Sequence, residues 1–85
     1  MSDIRLMKLK NDYLEAEKIL MDESRRNQWL ERQLYKAPTM QDFNLRLERL
    51  REHEKLLRIL GLYTMQTRYD YETADVDARR REGLL

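Results

Sequence analysis

The chain is predicted to be all-α, an antiparallel helical hairpin of coiled-coil type. Pro38, its only proline, stands between two stretches whose apolar residues recur at helical spacing. Charged residues make up 39% of the 85-residue chain, against about 25% in an ordinary domain, and glycine is nearly as rare as proline. That composition suits long helices with wide solvated faces. Leu6, Leu9, Tyr13, Ala16 and Leu20 then supply the three-four alternation of a helix-packing seam.

The first helix is expected over about residues 3–36. Ser2 or Asp3 can cap it by accepting a hydrogen bond from a free backbone N–H, and the periodicity begins at Ile4 and Leu6. Leu30 and Leu34 continue the seam after a gap. Residues 22–28 read D-E-S-R-R-N-Q, which places Glu23 and Asn27 where the seam wants apolar side chains. Three readings fit this stretch: a solvated polar layer in a continuous helix, a break around Ser24, or a coiled-coil asparagine at Asn27 that fixes register. Lys36-Ala37-Pro38-Thr39 ends the helix, because the residue before proline is pushed out of the α region.

The second helix is expected over about residues 40–60. Thr39 can cap it, and the Asp42 carboxylate suits the positive end of the helix dipole. Phe43, Leu47, Leu50 and Leu57 form its seam, with Glu54 interrupting, and Gly61 is the expected stop. So short a connection makes the helices antiparallel neighbours. Residues 63–71 alternate as a strand would, yet Ile59, Leu62, Tyr69 and Val76 fit a helix running through the glycine at a cost of about 1 kcal/mol. Helix or irregular packing is preferred, since a lone strand has no partner in this chain. From Thr73 the composition turns polar, with Asp75 and Asp77 ahead of Arg79-Arg80-Arg81 and only Leu84 and Leu85 clearly apolar at the end, and a frayed tail is expected. The domain reading is a hairpin over 1–63 and a Tyr-rich segment with a polar C-terminal tail over 64–85.

The expected core is Leu6, Leu9, Tyr13, Leu20, Leu30, Leu34, Phe43, Leu47, Leu50 and Leu57. Met7, Leu14 and Met21 repeat every seven residues beside that seam, and Leu56 to Tyr63 is apolar almost all round. One partner helix cannot cover both. Met7, Leu14, Met21, Leu56, Leu60 and Tyr63 are therefore the candidate self-association residues, pairing two hairpins into a dimeric four-helix arrangement. A second surface, Arg25, Trp29, Arg32 and Lys36, is basic around a tryptophan and is the candidate face for an acidic protein partner or for nucleic acid.

A formal charge of +1 gives no global field towards nucleic acid or an anionic membrane, so any electrostatic recognition is local. Without cysteine there is no disulfide framework, thiol nucleophile or thiolate metal site, which fits a cytoplasmic address. No signal-peptide pattern opens the chain and no apolar run reaches the ~20 residues of a membrane span, so a soluble, uncleaved protein is expected. His53 is the sole histidine, at the edge of the second seam. No phosphate-cradling motif or ligand cluster accompanies it, so no cofactor, metal or small-molecule substrate is expected. The function read from these residues is a non-catalytic protein–protein interaction module with an assembly, adaptor or scaffold role. A small nucleic-acid-binding regulator is the alternative.

Overall fold

The computed structural model describes residues 3–83. It is an antiparallel hairpin of two helices, α1 (Asp3–Leu34, 32 residues) and α2 (Met40–Arg81, 42 residues). At about 1.5 Å per residue α2 spans about 63 Å, and the rod measures 64 × 17 × 14 Å, so α2 sets its length. The Ser2 cap and the two terminal leucines, Leu84 and Leu85, lie outside the described residues, as does the Asp3 side chain.

Helix α1 is continuous through the polar stretch. Ser24 turns its hydroxyl back to donate to the Leu20 carbonyl at 2.7 Å, so it is absorbed within the helix instead of breaking it. At the other end Lys36 N–H and Ala37 N–H donate to the Gln33 and Leu34 carbonyls, closing α1 just ahead of Pro38. Thr39, in an extended conformation, then accepts from the Asp42 N–H through Oγ1 at 3.1 Å, the expected N-cap. Arg46 reaches across the connection, its Nη1 donating to the Gln33 carbonyl at 2.6 Å. This places a cation at the negative end of the α1 dipole.

Helix α2 does not stop at Gly61. The expected end near residue 60 and the tail expected to fray from Thr73 are corrected for the described residues: α2 runs on to Arg81, and its Tyr-rich segment, a helix as the preferred reading allowed, packs along the N-terminal half of α1. The reason is length. A second helix of about 20 residues would leave Leu6, Leu9, Tyr13 and Ala16 of α1 with nothing to pack against, and covering them outweighs the cost of one interior glycine. The glycine that does end α2 is Gly83, at φ 73°, with Glu82 N–H and Gly83 N–H donating to the Ala78 and Arg80 carbonyls.

Between them the helices carry an unbroken heptad seam. On α1 it runs through residues 6, 9, 13, 16, 20, 23, 27, 30 and 34, and on α2 through 43, 46, 50, 53, 57, 60, 64, 67, 71, 74 and 78; the residues buried most fully fall on these positions. Glu54 is exposed, so the interruption expected there belongs instead to His53, one residue earlier. Along α2 the seam passes from large side chains (Phe43, Leu50, Leu57, Leu60) to small ones (Thr64, Thr67, Ala74, Ala78). Ala16 meets Thr64 where both are small. The Thr64 hydroxyl donates to the Leu60 carbonyl at 2.7 Å and lies 3.4 Å from the Ala16 carbonyl, and Thr67 donates to the Thr64 carbonyl. Towards the open end Tyr13 stacks on Tyr71, with centroids 6.2 Å apart and planes 13° apart, an arrangement worth about 0.5–1.5 kcal/mol beyond its buried area.

A Cβ added at Gly61 would meet nothing within 4 Å, and the residue sits inside a helix. Gly61→Ala is therefore expected to stabilise the hairpin by about 0.5–1 kcal/mol, read as a higher urea midpoint with an unchanged slope. A lower midpoint would place the end of α2 at the glycine after all.

Candidate functional site

Heptad geometry sorts every side chain outside the seam. In an antiparallel pair the residues that follow seam positions lie on one long side of the rod, and those that precede them lie on the other. Here these are called the trailing and leading sides. Contacts agree with the sorting. One groove is lined by Arg26, Leu45, Arg49, Glu52 and Leu56, all one before the seam, together with Leu30 and His53 of the seam itself and Glu48, whereas the charges around Tyr13, from Glu17, Arg68 and Glu72, sit one after the seam.

The six self-association candidates do not form one surface. Met7, Leu14 and Met21 lie on the trailing side, joined there by Met65. Leu56 and Tyr63 lie on the leading side, joined by Ile19, Trp29, Leu45 and Ile59. Leu60 is a seam residue. A third strip, Leu62, Tyr69 and Val76, points outward from α2: three of the four residues that fitted a helix through Gly61 share a helical face, but it faces away from α1, and the fourth, Ile59, lies on the leading side. Among the described residues sixteen large apolar side chains are exposed, while Ala16, Leu34, Leu50 and Ala78 are the apolar residues that reach burial.

The basic candidates lie along one outer corner of α1 and its end. Arg25, Trp29, Arg32 and Lys36 are all exposed, and no ion pair involves them among the described residues. Asp22 and Arg26, four residues apart on α1, likewise form no ion pair among those residues. Trp29 does not pack on the C-terminal segment, which lies at the far end of the rod. It borders a groove with Leu30, Gln33, Arg46 and Arg49, so α2 adds two guanidinium groups to this corner that linear sequence could not assign to it.

Glu23 and Asn27, the polar residues of the α1 seam, both meet His53 of α2. His53, with only 9% of its side chain exposed, places Nε2 2.7 Å from Glu23 Oε2 and Nδ1 3.0 Å from Asn27 Oδ1. Both ring nitrogens are thus engaged across the interhelical gap. A ring carrying both protons donates to both oxygens. A neutral ring protonated at Nε2 donates to Glu23 and accepts from the Asn27 amide once that amide is turned over. Among the described residues no buried side-chain polar atom is left without a partner. The signal for this layer was present in the sequence, since Glu23 and Asn27 stand at seam positions. Locating His53 opposite them needed the register.

Nearby charges on the trailing side are settled within the chain. Arg68 pairs with Glu72 at 2.9 Å and Arg79 with Asp75 at 3.2 Å. A hydrogen bond to Glu17, with burial and the Glu17 charge adding to it, raises the Tyr13 phenol above its ordinary range, and Arg68 opposes the shift. Among the described residues no group of three or more His, Asp or Glu side chains could hold a metal ion, and no helix is long and apolar enough to cross a membrane.

The polar layer makes a stability prediction. His53→Leu alone strands Glu23 and Asn27 in the seam and is expected to cost about 1–3 kcal/mol in urea unfolding. Replacing Glu23, Asn27 and His53 together by leucine is expected to exceed the wild type in stability while losing a single helix alignment. A triple variant less stable than His53→Leu would mean that the layer contributes net stability. Comparison of the chain with known protein families, curated proteins and solved structures finds no match in any of the three, so its function has to be argued from its own residues.

Proposed function

We propose that the chain is a non-catalytic interaction module that self-associates and serves an assembly or adaptor role. The observation that carries this reading is the balance of buried and exposed apolar surface. Even with both helices packed along their full length, no side chain among the described residues is completely buried, and exposed Leu, Ile, Met and aromatic groups line both long sides. Surface of that kind, rimmed by charge, marks association sites. Two rods side by side would enclose one of these sides as a four-helix arrangement.

Light scattering over a concentration range, at low and moderate salt, tests the reading. The mass is expected to rise to that of a dimer or a larger defined oligomer. A monomer mass at every concentration would overturn self-association and leave the apolar sides to other proteins.

The basic corner supports a second reading, nucleic-acid binding, because Arg46 and Arg49 of α2 join Arg25, Trp29, Arg32 and Lys36 of α1 there. Cationic groups around an exposed indole suit phosphate contact with base stacking. A labelled single-stranded oligonucleotide is then expected to bind with an affinity that falls steeply with salt and drops in the double variant Arg25→Ala, Arg32→Ala. Absent or salt-independent binding would remove this reading.

A further inference from the structure

Taking the self-association reading as its basis, we propose that the second copy docks on the leading side, antiparallel to the first, about a two-fold axis that crosses the rod near Ile19 and Ile59. Apolar surface and charge point to the same side and the same axis.

On the leading side Ile19, Leu56, Ile59 and Tyr63 form an exposed apolar centre in the middle of the rod, with Trp29 and Leu45 further towards the turn. Ile19 of α1 lies level with the stretch of α2 that carries Leu56, Ile59 and Tyr63, because Ala16 meets Thr64 and Asn27 meets His53 across the seam. The trailing side instead spreads Met7, Leu14 and Met21 along α1 with one methionine, Met65, opposite.

Charge adds a second argument. On the trailing side Arg68 and Arg79 already have carboxylate partners within α2, and Lys10, Arg51 and Arg58, which form no ion pair among the described residues, do not flank an apolar centre. On the leading side Arg26 and Arg49 flank the apolar centre towards the turn, and Asp12 and Asp70 flank it towards the open end. None of the four forms an ion pair among the described residues, although the Gln66 amide donates to Asp70 at 2.9 Å. The midpoint between Arg26 and Asp12 falls on residue 19, and that between Arg49 and Asp70 falls between residues 59 and 60. These two midpoints lie at nearly the same level of the hairpin.

A two-fold axis crossing the rod at that level sets α1 against α1 and α2 against α2, each pair antiparallel. Arg26 then faces Asp12 of the other copy, Arg49 faces Asp70, and each pair occurs twice. Leu56 of one copy meets Tyr63 of the other by the same counting. Asp22 comes level with Glu15 of the other copy, and Arg26 lies within about one turn of both carboxylates. By the same counting Asp42 comes level with Asp77 of the other copy, a like-charged pair near the ends of the rod, whereas a two-fold axis along the rod would bring Asp12 level with Asp70 of the other copy, carboxylate against carboxylate at the flank of the apolar centre. One side of a rod 64 Å long and 17 Å wide is large enough for a standard interface of about 800 Å² per partner.

Charge reversal tests the face and the orientation together. Arg49→Asp and Asp70→Arg are made separately and jointly, helicity is checked by circular dichroism, and dimerisation is measured at low salt, where exposed charge pairs are least screened. Each single variant is expected to dimerise about tenfold or more weakly, since two attractive pairs become repulsive. An equimolar mixture of the two single variants is expected to form a heterodimer as tight as the wild-type dimer. In that heterodimer the reversed position 49 of one chain faces the reversed position 70 of the other, and the two unchanged positions face each other. The joint variant is expected to recover the wild-type affinity. A wild-type dimer whose single variants dimerise unchanged, or whose mixture shows no preference for the heterodimer, overturns the face while leaving self-association standing. A monomeric wild type overturns both. With Leu14→Glu and Met21→Glu together the dimer is expected to persist, and its loss would move the interface to the trailing side.

Discussion

A helix with one neighbour can bury only one stripe, and this constraint shapes the rest of the structure. In a two-helix hairpin there is no second layer, so the core is a single file of side chains at three-four spacing. Every residue beside that file is at least partly wet, and no described side chain is completely buried. The helices must also match in length, because any turn of α1 that α2 fails to cover keeps its apolar stripe in water. That requirement carries α2 through Gly61 and out to Gly83, where a left-handed residue finally turns the chain.

The same constraint decides what linear sequence can reveal. The α1 seam was legible because seven of its nine positions hold Leu, Tyr or Ala, and its two polar positions were identified as such. The turn was legible from Pro38 and Thr39, whose roles are set by local chemistry. The second half of α2 was not. Thr64, Thr67, Ala74 and Ala78 are seam residues, but their small or polar side chains carry no hydrophobic signal, while the conspicuous residues around them, Tyr63, Met65 and Tyr69, point away from the seam. Gly61 added a plausible but wrong stop. Continued from Leu50 and Leu57 through the glycine, the heptad spacing falls on the buried set, and the length of α1 requires that continuation.

His53 illustrates a different limit. Between Leu50 and Leu57 the seam steps by three or by four, landing on His53 or Glu54, and both are polar, so periodicity alone cannot choose. The choice is made across the gap, where Glu23 and Asn27 offer oxygens that suit an imidazole and repel a carboxylate. The candidate surfaces suffered from the same lack of a third dimension. Met7 and Leu56 look equivalent as apolar residues beside a seam, but one follows its seam position and the other precedes it, which puts them on opposite sides of the rod.

Register links the polar layer to the outer surface. Sliding α2 by one heptad would move it about 10 Å along α1 and keep the seam in phase, so hydrophobic pattern alone resists such a slip weakly. It would, however, carry His53 away from Glu23 and Asn27 and set Leu57 and Leu60, or Arg46, beside them, leaving polar groups without partners in the gap. The layer is therefore expected to cost some of the stability that leucines would supply, and together with the short capped turn it sets which residues of α1 and α2 lie level. That alignment is what places Ile19 beside Ile59 and sets Arg26 and Arg49 on one flank of them and Asp12 and Asp70 on the other. A hairpin in the slipped register would present the same residues in a different pattern, with the apolar centre divided and the charges out of step. The pattern that the outer face presents thus depends on the register to which three polar side chains inside the seam contribute.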